Sequence, residues 1–380
     1  MRKLVWGAVL APILALTLQG CDAPREQVTF FERDAVPEKL SAWHLVEAID
    51  GELSPNAGVT PYDLNTALFS DYAHKLRTVW MPAGKSAKYA KEDFDYPVGT
   101  VLTKTFYYPK GKNGTILRTD DYSNDYVPGA AGERLQLANV RLMETRILVK
   151  RADGWQALPY VWNKEQTEAT LQIAGDASRM KMVSESGDSD DFTYVVPDRN
   201  QCAGCHADNH SKKALHPLGP RARHLNKDYT YGTGTQNQLL HWQQIGYLTG
   251  LPEFAEIPRD ADYADISASL DERARAYLDI NCGHCHNPSG PAGYSGLDLY
   301  HEETVARRYG VCKPPIAAGT GSGDHLFDIV PGQPGQSIIP FRVGSTNPGA
   351  MMPELGRTLV HEKGLALLRD WIASMPGSCS

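Results

Sequence analysis

Gln201-Cys202-Ala203-Gly204-Cys205-His206 and Asn281-Cys282-Gly283-His284-Cys285-His286 are the two stretches on which the reading of this chain turns. Both contain C-x-x-C-H, the haem c attachment pattern. Two thiols three positions apart on a turn of helix reach the two vinyl groups of one porphyrin and form thioethers. The imidazole one residue on then faces the iron as proximal ligand. Other readings of the pattern fit less well. A structural zinc site wants its second cysteine pair roughly 15–20 residues away, whereas Cys282 lies 77 positions beyond Cys205. A thioredoxin-like redox pair has no use for His in the next position, twice. The expected cofactors are therefore two covalently bound haem c groups, on Cys202, Cys205 and His206 and on Cys282, Cys285 and His286.

Working outward, residues 259–380 read as an all-α cytochrome c domain around the second motif. A helix is predicted over 271–280, with Ala274, Tyr277 and Leu278 on one face, and another over 361–374, with Leu365, Leu368 and Ile372. Trp371 is expected where the two helices cross. Met351-Met352-Pro353 precedes the last helix, and Met352 is the expected distal ligand, with Met351 the lesser candidate; thioether sulfur favours reduced iron and raises the potential. Residues 196–258 are too few for a full cytochrome domain and read as a short helical haem module. No Met lies between His206 and Gly250. The sixth ligand of the first haem is then a His (His210, His216, His224 or His241), a group from another domain, or absent.

Residues 21–195 read as an antiparallel β-rich domain. Over 101–108, Val, Thr, Thr and Tyr alternate with Leu, Lys, Phe and Tyr, and 140–150 and 155–162 are further strand candidates. Turn signals at Lys112-Asn113-Gly114 and Ala152-Asp153-Gly154 bound them. The fold class expected is thus multidomain α+β: an N-terminal β-rich domain, a helical haem module and an all-α cytochrome c domain.

Residues 1–20 read as a lipoprotein signal peptide. Arg2 and Lys3 precede an apolar run from Leu4 to Leu18, and Leu18-Gln19-Gly20-Cys21 has the form of a lipobox, so Cys21 is the expected lipidation site. Export places the protein in the periplasm, anchored to a bacterial membrane through that lipid, with Asp22 favouring the inner membrane over the outer. Cys312 and Cys379 remain, and an oxidising compartment makes a disulfide between them the expectation. Loss of Arg2 and Lys3 leaves 36 basic residues against 45 acidic ones, a net charge of −9. No basic stripe exists to neutralise phosphates, so a nucleic-acid partner is not expected. No P-loop, H-E-x-x-H or G-x-S-x-G is present.

The chain resembles, over almost its whole mature length, a family of bacterial two-haem c-type cytochrome lipoproteins that has no assigned substrate. The matching stretches are Tyr62-Asp-Leu-Asn65 with Leu68-Phe-Ser-Asp71, Asn200 to His206, Pro217-Leu-Gly-Pro220, Arg273 to His286 and Met352-Pro-Glu-Leu-Gly356. The resemblance implies a periplasmic redox partner protein, with a parallel β-helix protein as one candidate. A weaker likeness links the N-terminal part to β-sheet cytochromes c′ and to lysine-cross-linked cytochromes that oxidise hydroxylamine. It rests on Pro97-Val-Gly-Thr-Val-Leu-Thr-Lys104 and draws Lys104 toward the first haem, although here roughly 170 residues follow the first motif. Electron transfer between redox partners is the function expected. The alternative is a haem enzyme acting on peroxide, nitric oxide or hydroxylamine at an open first haem. In a third reading the β-domain docks a partner, its acidic surface steering basic proteins.

Overall fold

The computed structural model describes residues 26–91, 93–119, 134–184, 186–207, 214–316 and 318–379. Cys21, Asp22 and His210 lie outside them. The centre of the described chain is a six-stranded antiparallel meander: β1 (Thr60–Tyr62), β2 (His74–Trp80), β3 (Val101–Pro109), β4 (Val140–Arg151), β5 (Gly154–Trp162) and β6 (Ala169–Leu171). Spatial order follows chain order, so each strand pairs with the next strand of this sheet, short strands of other sheets intervening in the chain on either side of β3, and one bulge falls between Leu142 and Glu144 in β4.

Alternation in β3 shows how the sheet is used. Val101 and Tyr107 belong to a core with Trp43, Leu76, Ile147, Leu158 and Tyr160. At its centre Trp43 Nε1 donates to Tyr160 Oη at 2.8 Å. The opposite face carries Leu102, Lys104 and Phe106, with Arg146 and Leu148 of β4, and these line a cavity closed by the first C-x-x-C-H segment. Both faces are covered, so polar residues on the second face are committed to that cavity.

A hairpin of β7 (Asp176–Val183) and β8 (Ser189–Val196) leads into α1 (Arg199–His206). After α1 come α2 (Ala222–Leu225), a second hairpin of β9 (Asp228–Tyr231) and β10 (Gly234–Asn237), and α3 (Gln238–Gln244). The stretch 196–258 is therefore mixed rather than purely helical. The remainder holds α4 (Leu270–Leu278), α5 (Ile338–Gly344) and α6 (Glu362–Ser374).

The expected fold class does not stand. The structure is 29% strand and 23% helix, with six short helices among the described residues, and no large all-α cytochrome domain is seen among them. The longest helix spans 13 residues. The cause is local. Between α4 and α5, Pro288, Gly290, Pro291, Gly293 and Gly296, then Pro314, Pro315, Gly319, Gly321 and Gly323, then Pro331, Gly332, Pro334 and Gly335 interrupt any helical run. The two helices read from periodicity do exist, and they pack together. Gly364 of α6 makes this approach feasible, because a Cβ there would collide with the Tyr277 ring of α4. Trp371 Nε1 donates to Asp271 Oδ1 at 2.8 Å across the pair.

The C-terminal region is tied to the sheet through buried polar contacts. The Asp71 carboxylate accepts from Thr358 N and Leu359 N at 2.7–2.9 Å. Cys312 and Cys379, 67 positions apart, are joined as a disulfide. No helix among the described residues is long and apolar enough to cross a membrane.

Candidate haem-binding site

The first motif is presented by a helix whose start is fixed by sequence. The Asp198 side chain accepts from Asn200 N and Gln201 N, and Gln201 Oε1 accepts from Asp198 N, a capping box that begins α1 just after β8. Cys202 is buried against the sheet, while Cys205 and His206 are half-buried. His206 Nδ1 lies 2.8 Å from the His216 carbonyl oxygen. A carbonyl can only accept, so the proton sits on Nδ1 and the Nε2 lone pair is left available, the arrangement an iron-ligating imidazole uses. Burial holds His206 neutral, pushing its pKa down to about 3.

The second motif grows out of α4, which Ser269 and Glu272 cap reciprocally. The helix widens into a π-turn over Asp279–Gly283 that carries Cys282. Cys282, His286, Ser295, Leu299, Arg342 and Met352 line one cavity. His286 Nδ1 contacts Ser295 Oγ at 3.0 Å, and burial pushes the His286 pKa down to about 4. Met352 therefore shares a cavity with Cys282 and His286. Met351 is buried beside it but does not line that cavity.

Sequence does not reveal how the motifs sit relative to one another. The Cys205 and Cys285 sulfurs and a ring nitrogen of His284 lie within 4.8 Å of one another, and Cys285 Sγ is 4.0 Å from the Gly204 carbonyl. The second cysteine of each motif thus meets its counterpart. Hydrogen bonding from Cys285 holds the Cys205 thiol down, at about 4, against burial, and the same contact pushes Cys285 well up.

The residues fit two haems. The first motif places Cys202, Cys205 and His206 at the wall of one cavity, and the second places Cys282 and His286 at the wall of the other, with Cys285 turned toward Cys205 instead; apolar side chains (Leu102, Phe106 and Leu148 at the first; Leu299, Ile338 and Ile339 at the second) form much of the remaining lining. Two thiols are candidates for other chemistry only if no thioether forms: Cys205 and Cys285 would then be a metal or disulfide pair.

The first cavity contains residues that periodicity alone did not single out. Cross-strand register aligns Arg77, Lys104 and Arg146. Asp63 pairs with Arg77 at 2.8 Å and Glu144 with Arg146 at 2.6 Å, whereas Lys104 has no ion pair among the described residues. Burial first, then Arg77 and Arg146, lowers the Lys104 pKa to about 7. His284 also lines this cavity, and its Nδ1 lies 3.2 Å from the Ile280 carbonyl. Its position inside the second motif was the available signal.

Of the other histidines considered, His224 is buried against Asp279, and His241 stacks on Tyr231 at 3.6 Å. Neither these nor His216 lines the cavity of the first motif. No family model, no curated protein and no solved structure matches this chain.

Proposed function

We propose that this chain is a periplasmic c-type cytochrome, lipid-anchored through Cys21, that holds two haems side by side and passes electrons between redox partners. The observation that supports this reading most is the meeting of Cys205 and Cys285. Thioethers on those two sulfurs would bring one edge of each porphyrin to the same point, which shortens the electron path between them. When bound, each haem iron supplies a one-electron couple whose potential is set by axial ligand, burial and nearby charge.

The protein groups then have separate tasks. His206 and His286 would hold the two irons through Nε2, oriented by their Nδ1 contacts. Met352, in the cavity with His286, would supply a sulfur ligand to the second haem. His284 is the one other imidazole at the first cavity among the described residues, so it would serve the first haem in preference to His216, His224 or His241. Arg146, with Lys104 when protonated, would favour the reduced form of that haem. A periplasmic protein of the parallel β-helix kind remains the partner that the resemblance suggests.

Electron paramagnetic resonance of the natively exported, oxidised protein tests the reading. Two low-spin haems whose signals are broadened by mutual coupling are expected, sharpening on half-reduction. Independent signals would contradict adjacency. A second reading, chemistry on a small molecule at the first haem, is favoured by the size of that cavity, about 150 Å³ against about 70 Å³ at the second. Carbon monoxide binding to the reduced protein would select it.

A further inference from the structure

Behind the second motif, and separate from both haem cavities' thiols, lies a buried cluster built from four distant segments. His224 of α2 has Nδ1 2.7 Å from the Gly219 carbonyl, so Nδ1 bears a proton and Nε2 is the atom left to meet a proton or a cation. Nε2 faces two carboxylates, with Asp279 Oδ1 at 2.7 Å and Asp260 Oδ2 at 3.4 Å. His301 Nδ1 lies 3.0 Å from Asp260 Oδ1. Asp260 and Asp279 are 2% and 1% exposed. Nε2 and two carboxylate oxygens converge in a dry site, where positive charge must stand between them, either on the imidazole or as a bound cation.

A further observation argues that this charge is an ion. Asp260 Oδ2 and His301 Nδ1 are buried without a well-formed hydrogen bond, although His224 Nε2 stands 3.4 Å from the first and Asp260 Oδ1 3.0 Å from the second; an ion bound among them would satisfy both.

We infer that His224, Asp260 and Asp279, with His301 at the rim, bind one divalent transition-metal ion of the zinc type. Ligand atoms on a tetrahedral ion with bonds of about 2.0 Å stand about 3.3 Å apart; the 3.4 Å between His224 Nε2 and Asp260 Oδ2 matches that spacing, while the 2.7 Å hydrogen bond from Nε2 to Asp279 Oδ1 would open to admit the ion. Imidazole with carboxylate and no thiolate suits zinc and its neighbours rather than calcium. The Gly219 carbonyl serves as the outer partner that orients a ligating imidazole. Because Asp279 stands three residues before Cys282, the ion would pin the segment after the first motif to the turn that carries the second.

The test uses the haem-loaded protein, dialysed against chelator and then equilibrated with micromolar zinc sulfate, with zinc counted by elemental analysis beside the haem iron. One zinc per chain is expected in the wild type, falling at least tenfold in Asp260→Asn and in His224→Gln. Zinc should raise the wild-type Tm and leave that of Asp260→Asn unmoved. Wild-type protein that retains no stoichiometric zinc overturns the inference and identifies His224 as a buried imidazolium. Full zinc retention by both variants overturns it equally, since the ion then lies elsewhere. Because zinc is counted apart from iron, the result does not depend on how the haem reading fares.

Discussion

His361 offers a direct measurement of how the C-terminal helices are held to the sheet. It stands at the start of α6, 2% exposed. Its ring stacks on Phe69 at 4.4 Å and faces the hydroxyls of Tyr277 and Tyr263 at 3.1 and 3.3 Å. Burial, reinforced by Lys75, Lys363 and Arg118, pushes its pKa from 6.5 down to about 3. The folded value lies below the unfolded one, so the unfolded chain binds more protons between these limits. Stability from this residue is complete above pH 6.5 and is lost as pH falls through the window toward 3. At pH 4.5 the deficit is two pH units, about 3 kcal/mol at ~1.4 kcal/mol per unit. His361→Gln keeps polar contact with the two tyrosines and cannot titrate. Urea unfolding of wild type and variant at pH 7 and pH 4.5 gives a double difference in which all other titrating groups cancel. The variant should lose about 3 kcal/mol less than the wild type on acidification. Equal losses in both proteins would refute the argument.

Three other outcomes follow from the geometry. Met352→Ala should abolish the near-infrared sulfur-to-iron band and lower the potential of the second haem alone, whereas an intact band would transfer the role to Met351. His284→Ala should turn the first haem high-spin and open to carbon monoxide, read by absorption and paramagnetic resonance; an unchanged low-spin spectrum would remove His284 from that iron. Cys379→Ser should cost about 4 kcal/mol in urea unfolding, since the disulfide closes a 67-residue loop, and a loss below about 1 kcal/mol would show that the loop is already held by its other contacts.

What the sequence exposed and what it concealed divide along physical lines. Alternation over 101–108, 140–150 and 155–162 is a local property with period two, and those residues form β3, β4 and β5. Helical spacing near 271–278 and 362–374 is equally local, and α4 and α6 are there. The expected all-α domain is absent among the described residues because two helices and a C-x-x-C-H motif do not dictate what lies between them, and proline and glycine recurring throughout 288–335 forbid further long helix there. The two C-x-x-C-H motifs announce themselves by spacing. The contact of Cys205 with Cys285 does not, because it depends on how α1 and the 279–283 turn pack, 80 positions apart. The same holds for His224 and Asp279, which come from different segments and are unremarkable one at a time. Lys104 was visible as a strand lysine, but its lack of an ion-pair partner between Arg77 and Arg146 required the register of three strands.

The central claim is that four thiols, Cys202, Cys205, Cys282 and Cys285, are bonded to two porphyrins. Intact-mass spectrometry of the natively exported protein tests it most directly. The account predicts the polypeptide mass plus two haems, resistant to acid–acetone extraction. A bare polypeptide, or one lighter by two hydrogens through a Cys205–Cys285 disulfide, would contradict it.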